Sequence, residues 1–388
     1  MSATRLGFLF NHDALHQIAH SAPLIAELKR SHPQLDIAVL ASSDEQMAAV
    51  REYVPDAMSG GLAWIRLRLS PAAEALDRFA RHLSPFRRVA ILRSNLELFR
   101  GFDALVVPEA TSSMLKRRFG LTDVKLIYTH HGAGDRSVGF GEELRDFDLI
   151  LVAGPKVRDR LLAAGLVGEG GYALVGYPKF DAVAAGGRTR RALFPNERPT
   201  VLYNPHFEPR LSSWYDMGLP VLDYFAAHPD YNLVLAPHVM LFRRRIHTSL
   251  ERFAFRLRRS LPERYLRHSN IRVDLGGTSC IDMTYTLGAD VYLGDVSSQV
   301  YEFLLEPRPC IFLNAHGARW QNDPNYLHWT CGPVLDDVAA LDRTLARTAA
   351  DHAVFRPVQE KLFAETFELT EVPSTRRAAD AIAAFLAR

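Results

Sequence analysis

Short runs of aliphatic and β-branched residues recur along the chain, each ending in a polar loop and followed by a longer, helix-length stretch. Leu6–Phe10 is the first such run, and Ile37–Leu40, Ala104–Val107, Lys125–Tyr128 and Leu149–Val152 follow it. They are of strand length and rich in β-branched and aliphatic residues, the mark of strands covered on both faces. His12–Lys29 reads as the helix after the first strand. Strands alternating with helices predict an α/β fold built on parallel sheet.

The segment Ala184–Thr200 interrupts this rhythm. It opens Ala-Ala-Gly-Gly, continues through Arg188, Arg190 and Arg191, and ends with Pro195 and Pro199, the composition of an interdomain connection. The strand pattern then restarts at Thr200–Tyr203, Leu233–Ala236, Ile271–Asp274, Val291–Leu293 and Cys310–Leu313. Two Rossmann-like halves joined by a linker make a GT-B architecture. The expected division is 1–185 as a Rossmann-like acceptor domain and 186–372 as a Rossmann-like nucleotide-donor domain, facing a central cleft. A helix over 373–388 is expected to cross back to the first domain.

Composition narrows the class. The chain has 388 residues, more than one core usually organises, and its formal net charge of +2 does not point to a nucleic-acid partner. The three cysteines, Cys280, Cys310 and Cys331, have neither a disulfide framework nor zinc spacing. No run of about 18 apolar residues is present, and the N-terminus lacks a secretory pattern. The expected location is cytoplasmic, with one route to the inner membrane face. In Leu241–Leu261, Phe242, Ile246, Leu250, Phe253, Leu257 and Leu261 follow helical spacing among Arg243, Arg244, Arg245, Arg252, Arg256, Arg258 and Arg259. That pattern predicts a basic amphipathic helix, either packed with its arginines in solvent or lying on an anionic membrane.

Candidate chemistry sits where the strands end, since open α/β sheets bind ligands beyond the carboxyl ends of their strands. Thr129-His130-His131-Gly132-Ala133-Gly134-Asp135 follows one strand. A histidine there either accepts a proton near neutral pH or merely braces a turn. Gly294-Asp295-Val296-Ser297-Ser298-Gln299 leads from a strand into a helix, as an anion site or as an ordinary N-cap. Asn204-Pro205-His206 and Pro237-His238 end two further strands. His12, His16 and His20 share one face of the first expected helix, with His12 and His16 on the acceptor side. The Asp-x-Asp sequence Asp146-Phe147-Asp148 enters its strand at the end away from ligands, so no metal site is expected.

The order of these pieces resembles the CDP-glycerol glycerophosphotransferase family, the teichoic-acid primases and polymerases. The likeness runs over about residues 125–315. It is carried by His131-Gly132, Gly176-Tyr177-Pro178-Lys179-Phe180-Asp181, Tyr203-Asn204-Pro205-His206-Phe207, Pro237-His238, Asp282 and Asp295-Val296-Ser297-Ser298. His130 stands where the family has tryptophan, Ala236 where it has arginine, and Val296 where it has tyrosine.

The resemblance implies transfer of a polyol phosphate from a CDP-linked donor to a hydroxyl of a cell-surface glycan or lipid-linked acceptor, with release of CMP and no cofactor. It assigns His131 as base and His238 as a second catalytic histidine on donor phosphate. Ser297, Ser298, Gly294, Asp295 and Gln299 would hold the pyrophosphate. Asn204, His206, Pro237 and Asp282 would line the donor site, and His130, Gly132 and Asp135 the acceptor side. Alternatives are a GT-B glycosyltransferase, a UDP-sugar 2-epimerase using acids such as Asp103, Glu109 and Asp135, and a non-catalytic nucleotide-binding subunit.

Overall fold

The computed structural model describes residues 3–12, 15–80, 86–130, 132–249 and 254–388. His131, Leu250, Arg252 and Phe253, all named above, lie outside the described residues. The chain forms two compact units. The first comprises Met1–Ala133, Phe140–Gly186 and Glu365–Arg388; the second comprises Gly134–Gly139 and Gly187–Ala364.

In the first unit the strands are β1 (Arg5–Phe10), β2 (Asp36–Ala41), β3 (Ala63–Arg66), β4 (Ala104–Val107), β5 (Lys125–Tyr128), β6 (Leu149–Val152) and β7 (Tyr172–Leu174). They form one parallel sheet of order β3-β2-β1-β4-β5-β6-β7. Alternate side chains feed opposite layers: Leu6, Phe8 and Phe10 enter one buried cluster, while Leu9 enters the other. This two-sided burial is why the strands read as unbroken apolar runs. β3 and β7 escape such a reading because they lie at the sheet's edges, and Trp64, Ile65 and Tyr172 are only half buried.

The helix Ser374–Leu386 packs against the helix Ala22–Ser31, burying Ala378, Ala379 and Ile382 with Leu24, Ile25 and Leu28. The Ser374 hydroxyl accepts the Tyr177 N–H at 2.9 Å, and the Thr375 hydroxyl donates to Asp181 at 2.9 Å.

The expected continuous helix His12–Lys29 is not formed. Leu15–His20 is a 3₁₀ segment, Ser21 interrupts it, and the α-helix begins at Ala22 with Pro23 in its first turn. The shared face of His12, His16 and His20 disappears with it, because three residues per turn do not superpose positions four apart.

The second unit contains β8 (Thr200–Asn204), β9 (Asn232–Leu235), β10 (Ile246–Ser249), β11 (Ala254–Leu257), β12 (Ile271–Val273), β13 (Val291–Gly294), β14 (Cys310–Leu313) and β15 (Val334–Leu335). Six of these make a parallel sheet of order β12-β9-β8-β13-β14-β15, and β10 and β11 stand apart as an antiparallel pair. The basic helix expected over Leu241–Leu261 is therefore a hairpin. Its register pairs Ile246 with Leu257 and Thr248 with Phe255 on one face. The opposite face turns His247 inward, where its ring meets the carbonyls of Leu241 and Arg244 at 3.0 and 3.1 Å. Buried Arg258 lies over Phe242 and donates to the Arg244 carbonyl at 3.2 Å, fixing the root of the hairpin. The helical spacing of apolar residues is overridden by this period-two arrangement, which leaves Ile246, Phe255 and Leu257 exposed. Among the described residues, no helix is long and apolar enough to cross a membrane.

Candidate functional site

In the second unit, parallel pairing levels the carboxyl ends of three strands: Asn204 of β8 lies opposite Gly294 of β13, and Tyr203 opposite Leu235 of β9. The loops that follow therefore emerge side by side. The His206 and His238 rings lie 5.1 Å apart, with Phe207 4.7 Å from His238.

Asp295 binds these loops together. Its fully buried carboxylate accepts the N–H of His206 at 2.9 Å, the N–H and hydroxyl of Ser213 at 2.6 and 2.8 Å, and the N–H of Val296 at 2.7 Å. Burial pushes its carboxyl above the ordinary aspartate value, against the pull of these donors. Asp295 thus ties the loops together from beneath. Asn204 is likewise committed. Its amide donates to the Ala236 carbonyl at 2.6 Å and accepts from the Tyr292 hydroxyl at 3.2 Å, joining three strand ends. At Gly294 a Cβ would fall 2.6 Å from the Tyr292 ring, so glycine is required there. Pro237 is buried in the β9 loop.

The two histidines are left with one polarity. Glu208 N–H donates to His206 Nδ1 at 3.0 Å, and Met240 N–H donates to His238 Nδ1 at 3.2 Å. A ring nitrogen that accepts carries no proton, so both rings are neutral with the hydrogen on Nε2. Each carries its hydrogen on Nε2, the polarity that suits phosphate oxygens.

Ser297 Oγ accepts the Gln299 N–H at 3.4 Å, and the Gln299 amide donates to the Cys280 carbonyl at 2.8 Å. Gln299 thereby braces the turn from behind. The helix it opens, Gln299–Phe303, has five residues, so its dipole is short. Asp282 accepts from the Thr284 N–H and hydroxyl at 3.0 and 2.6 Å and pairs with Arg188 at 2.9 Å. These contacts make it a loop anchor whose charge is already neutralised.

In the first unit the β5 loop carries the candidate chemistry. His130 has φ 42°, and Gly132 has φ 79°, a tight left-handed bend that is strained at the histidine. His130 Nδ1 lies 3.1 Å from the Gly132 carbonyl and must donate to it. Its neutral form then carries the lone pair on Nε2. A cavity of about 10 Å³ in this unit is lined by His20, Thr129, His130, Gly176, Tyr177 and others.

His12 is buried just after β1, and His16 is half buried. Glu109, directly after β4, is buried and accepts from Thr111 N–H at 2.8 Å and Ser112 hydroxyl at 2.5 Å; burial raises its carboxyl above the ordinary glutamate value. Asp103 is exposed at the opposite end of that strand. Asp146 and Asp148 pair with Arg117 and Lys116.

Asp135 departs from its expected place on the acceptor side. It belongs to the second unit, where its buried carboxylate meets the Tyr301 hydroxyl at 2.8 Å and the His328 ring at 2.8 Å. His328 and Ser213 carry no motif and are invisible to spacing. The only trace of them is polar residues among aromatics, as in His328-Trp329.

No family model matches the sequence, and no curated protein does. Solved structures do match. The wall teichoic acid polymerase TagF, in a structure soaked with CDPG, is 13% identical with a TM-score of 0.60, covering 100% of this chain and 89% of that one. A putative UDP-N-acetylglucosamine 2-epimerase from Listeria monocytogenes is 13% identical with a TM-score of 0.59, covering 98% and 96%. S. aureus MnaA in a co-structure with UDP is 13% identical with a TM-score of 0.62, covering 99% and 97%. With its two parallel-sheet units, the chain has the GT-B fold.

Proposed function

We propose that the chain is a transferase that holds a nucleotide-activated donor on the second unit and passes its polyol phosphate to an acceptor hydroxyl. The observation that carries this reading is the paired Nε2–H polarity of His206 and His238 beside the Ser297-Ser298 turn. Fixed donors at a sheet's carboxyl edge suit a diphosphate, and they cost no reorganisation as charge develops. In the reaction the acceptor oxygen bonds to the donor's β-phosphorus while the bond from that phosphorus to the bridging oxygen breaks, releasing CMP. The hydroxyl proton goes to His131, a role that rests on the family resemblance.

General-base help of this kind is worth about 10²–10⁴-fold. His131→Ala should nearly abolish CMP release from CDP-glycerol while sparing donor binding. Turnover retained in His131→Ala but lost in His130→Ala would overturn the assignment in favour of the neighbouring ring, whose Nε2 lone pair suits a base.

UDP-sugar 2-epimerisation is the second reading, favoured by Glu109 at the carboxyl end of β4 and by the epimerases among the structural neighbours. Asp103 at the far end of that strand and Asp135, held by Tyr301 and His328, do not support it. Formation of an epimer from UDP-N-acetylglucosamine would decide for it.

The same proposal places a lipid-linked acceptor at an anionic membrane. Exposed Ile246, Phe255 and Leu257 share the hairpin with exposed Arg243, Arg244, Arg245, Arg256 and Arg259, and the described residues of 241–259 include no acid. Apolar side chains ringed by cations suit an anionic lipid surface. Flotation with anionic liposomes at low salt should be lost in Arg244→Glu/Arg245→Glu; no flotation of the native protein would contradict the placement.

A further inference from the structure

We infer that His328 is a doubly protonated positioning residue whose imidazolium, neutralised by buried Asp135, clamps the peptide from which the Ser297-Ser298 turn springs. The inference deepens the proposed donor-phosphate site and rests on that reading for its functional consequence.

Both ring nitrogens of His328 face acceptors. Nδ1 lies 2.8 Å from the Asp135 carboxylate, and Nε2 lies 3.0 Å from the Asp295 carbonyl. A carbonyl oxygen can only accept, so Nε2 carries a hydrogen. At Nδ1 the proton is shared with a carboxylate that already receives the Tyr301 hydroxyl, at 2.9 and 2.8 Å to its two oxygens, and the His328 backbone N–H at 3.0 Å. Donors aimed at a carboxylate favour its anion, which leaves the Nδ1 proton on the ring. The pair is almost completely buried, with side-chain exposures of 4% for His328 and 0% for Asp135, so water screens the attraction between them little. Trp329, Phe312 and Tyr301 pack their rings edge-on to the imidazole.

The clamp acts on one peptide group. The Asp295 carbonyl accepts from His328 Nε2 and also from Trp329 Nε1, at 2.8 Å. The N–H of the same peptide, on Val296, donates to the Asp295 carboxylate at 2.7 Å. With both ends held, the peptide plane cannot flip, and the direction in which Ser297 and Ser298 leave it is set. Asp135 comes from the chain segment Gly134–Gly139. A Cβ on Gly134 would lie 3.1 Å from Ser298 Cβ, so this segment also packs directly against the turn. His328 touches no substrate in this account. It acts through the peptide and is kept charged by Asp135.

The test uses the full-length protein labelled with ¹⁵N-histidine at pH 7. The His328 signals are assigned by their shift in the mild variant Tyr301→Phe and by their loss in His328→Gln. Both ring nitrogens should resonate as protonated; an unprotonated Nδ1 would overturn the inference, whether or not any variant folds. The second arm titrates CDP and inorganic pyrophosphate into native protein and His328→Gln. Dissociation constants raised about tenfold, with the Arg188–Asp282 side of the unit undisturbed, are expected. Unchanged affinity in a folded His328→Gln would overturn the positioning role. Native protein that binds neither probe would overturn the donor-site reading instead, leaving the ring's protonation to be read from the first arm.

Discussion

The strand-end histidines of the two units are the same residue type in similar loops, yet their hydrogens point in opposite senses. In the second unit, Nδ1 of His206 and of His238 accepts a backbone N–H from two residues ahead, which leaves each ring's hydrogen on Nε2. In the first unit, Nδ1 of His130 donates to a carbonyl two residues ahead, and its neutral ring offers a lone pair. The turn decides between them: the left-handed His130 and Gly132 bring a carbonyl towards the ring, where the loops of the second unit bring an amide. The polarity of a strand-end histidine in this fold therefore follows the turn in which it sits.

The largest expected effect breaks the scaffold beneath the N–H-presenting pair. Asp295→Asn places an amide NH₂ among several donors and should cost about 3 kcal/mol or more. That corresponds to a fall in melting temperature on the order of 6 °C or more for a unit of this size. A melting temperature unchanged in calorimetry would contradict the tie between the loops.

Next in size, His238→Ala and His206→Ala should each weaken CDP binding about tenfold or more, since each removes one donor to a charged group. Titration calorimetry reads this directly. His130→Ala should leave that affinity unaltered, which sharpens the contrast between the units.

Ser298→Ala removes one hydroxyl and should weaken CDP binding about three- to tenfold in the same titration. Loss well beyond that would mean the turn itself had collapsed.

The smallest effect compares the buried carboxyls. Burial raises the Glu109 carboxyl above its ordinary value of 4.5 in the folded chain. The unfolded chain then releases this proton first, so its contribution to stability falls as pH rises from about 4.5 to the folded value. Glu109→Gln should flatten that part of the stability profile. Denaturant melts across acidic pH that stay parallel for native and variant would contradict it.

The sheet scaffold was legible because burial on both faces leaves an unbroken apolar signature in the central strands, such as Ala104–Val107 and Leu149–Val152. Edge strands such as Ala63–Arg66, half exposed, lack it. The hairpin misread as a helix shows the limit of periodicity. Ile246 and Leu257 satisfy helical spacing, but the inward turn of His247 and the buried guanidinium of Arg258 select strands instead. The loops bearing His130, His206, His238 and Ser297-Ser298 were visible as polar ends of apolar runs. What each side chain does there was not, because Asp295, Asn204 and Asp282 look like ligand contacts in sequence and prove to be internal ties. His328 could not be found at all, since its partner Asp135 is 193 residues away along the chain.

The central claim is that the second unit holds a nucleotide diphosphate through the N–H groups of His206 and His238. Its most direct test is titration of CDP, CDP-glycerol and UDP into the native protein and into His206→Ala/His238→Ala. The native protein should bind the cytidine compounds saturably, and the double variant should lose about a hundredfold in affinity. Equal affinity in the double variant, or no binding of any of these nucleotides to the native protein, would contradict it.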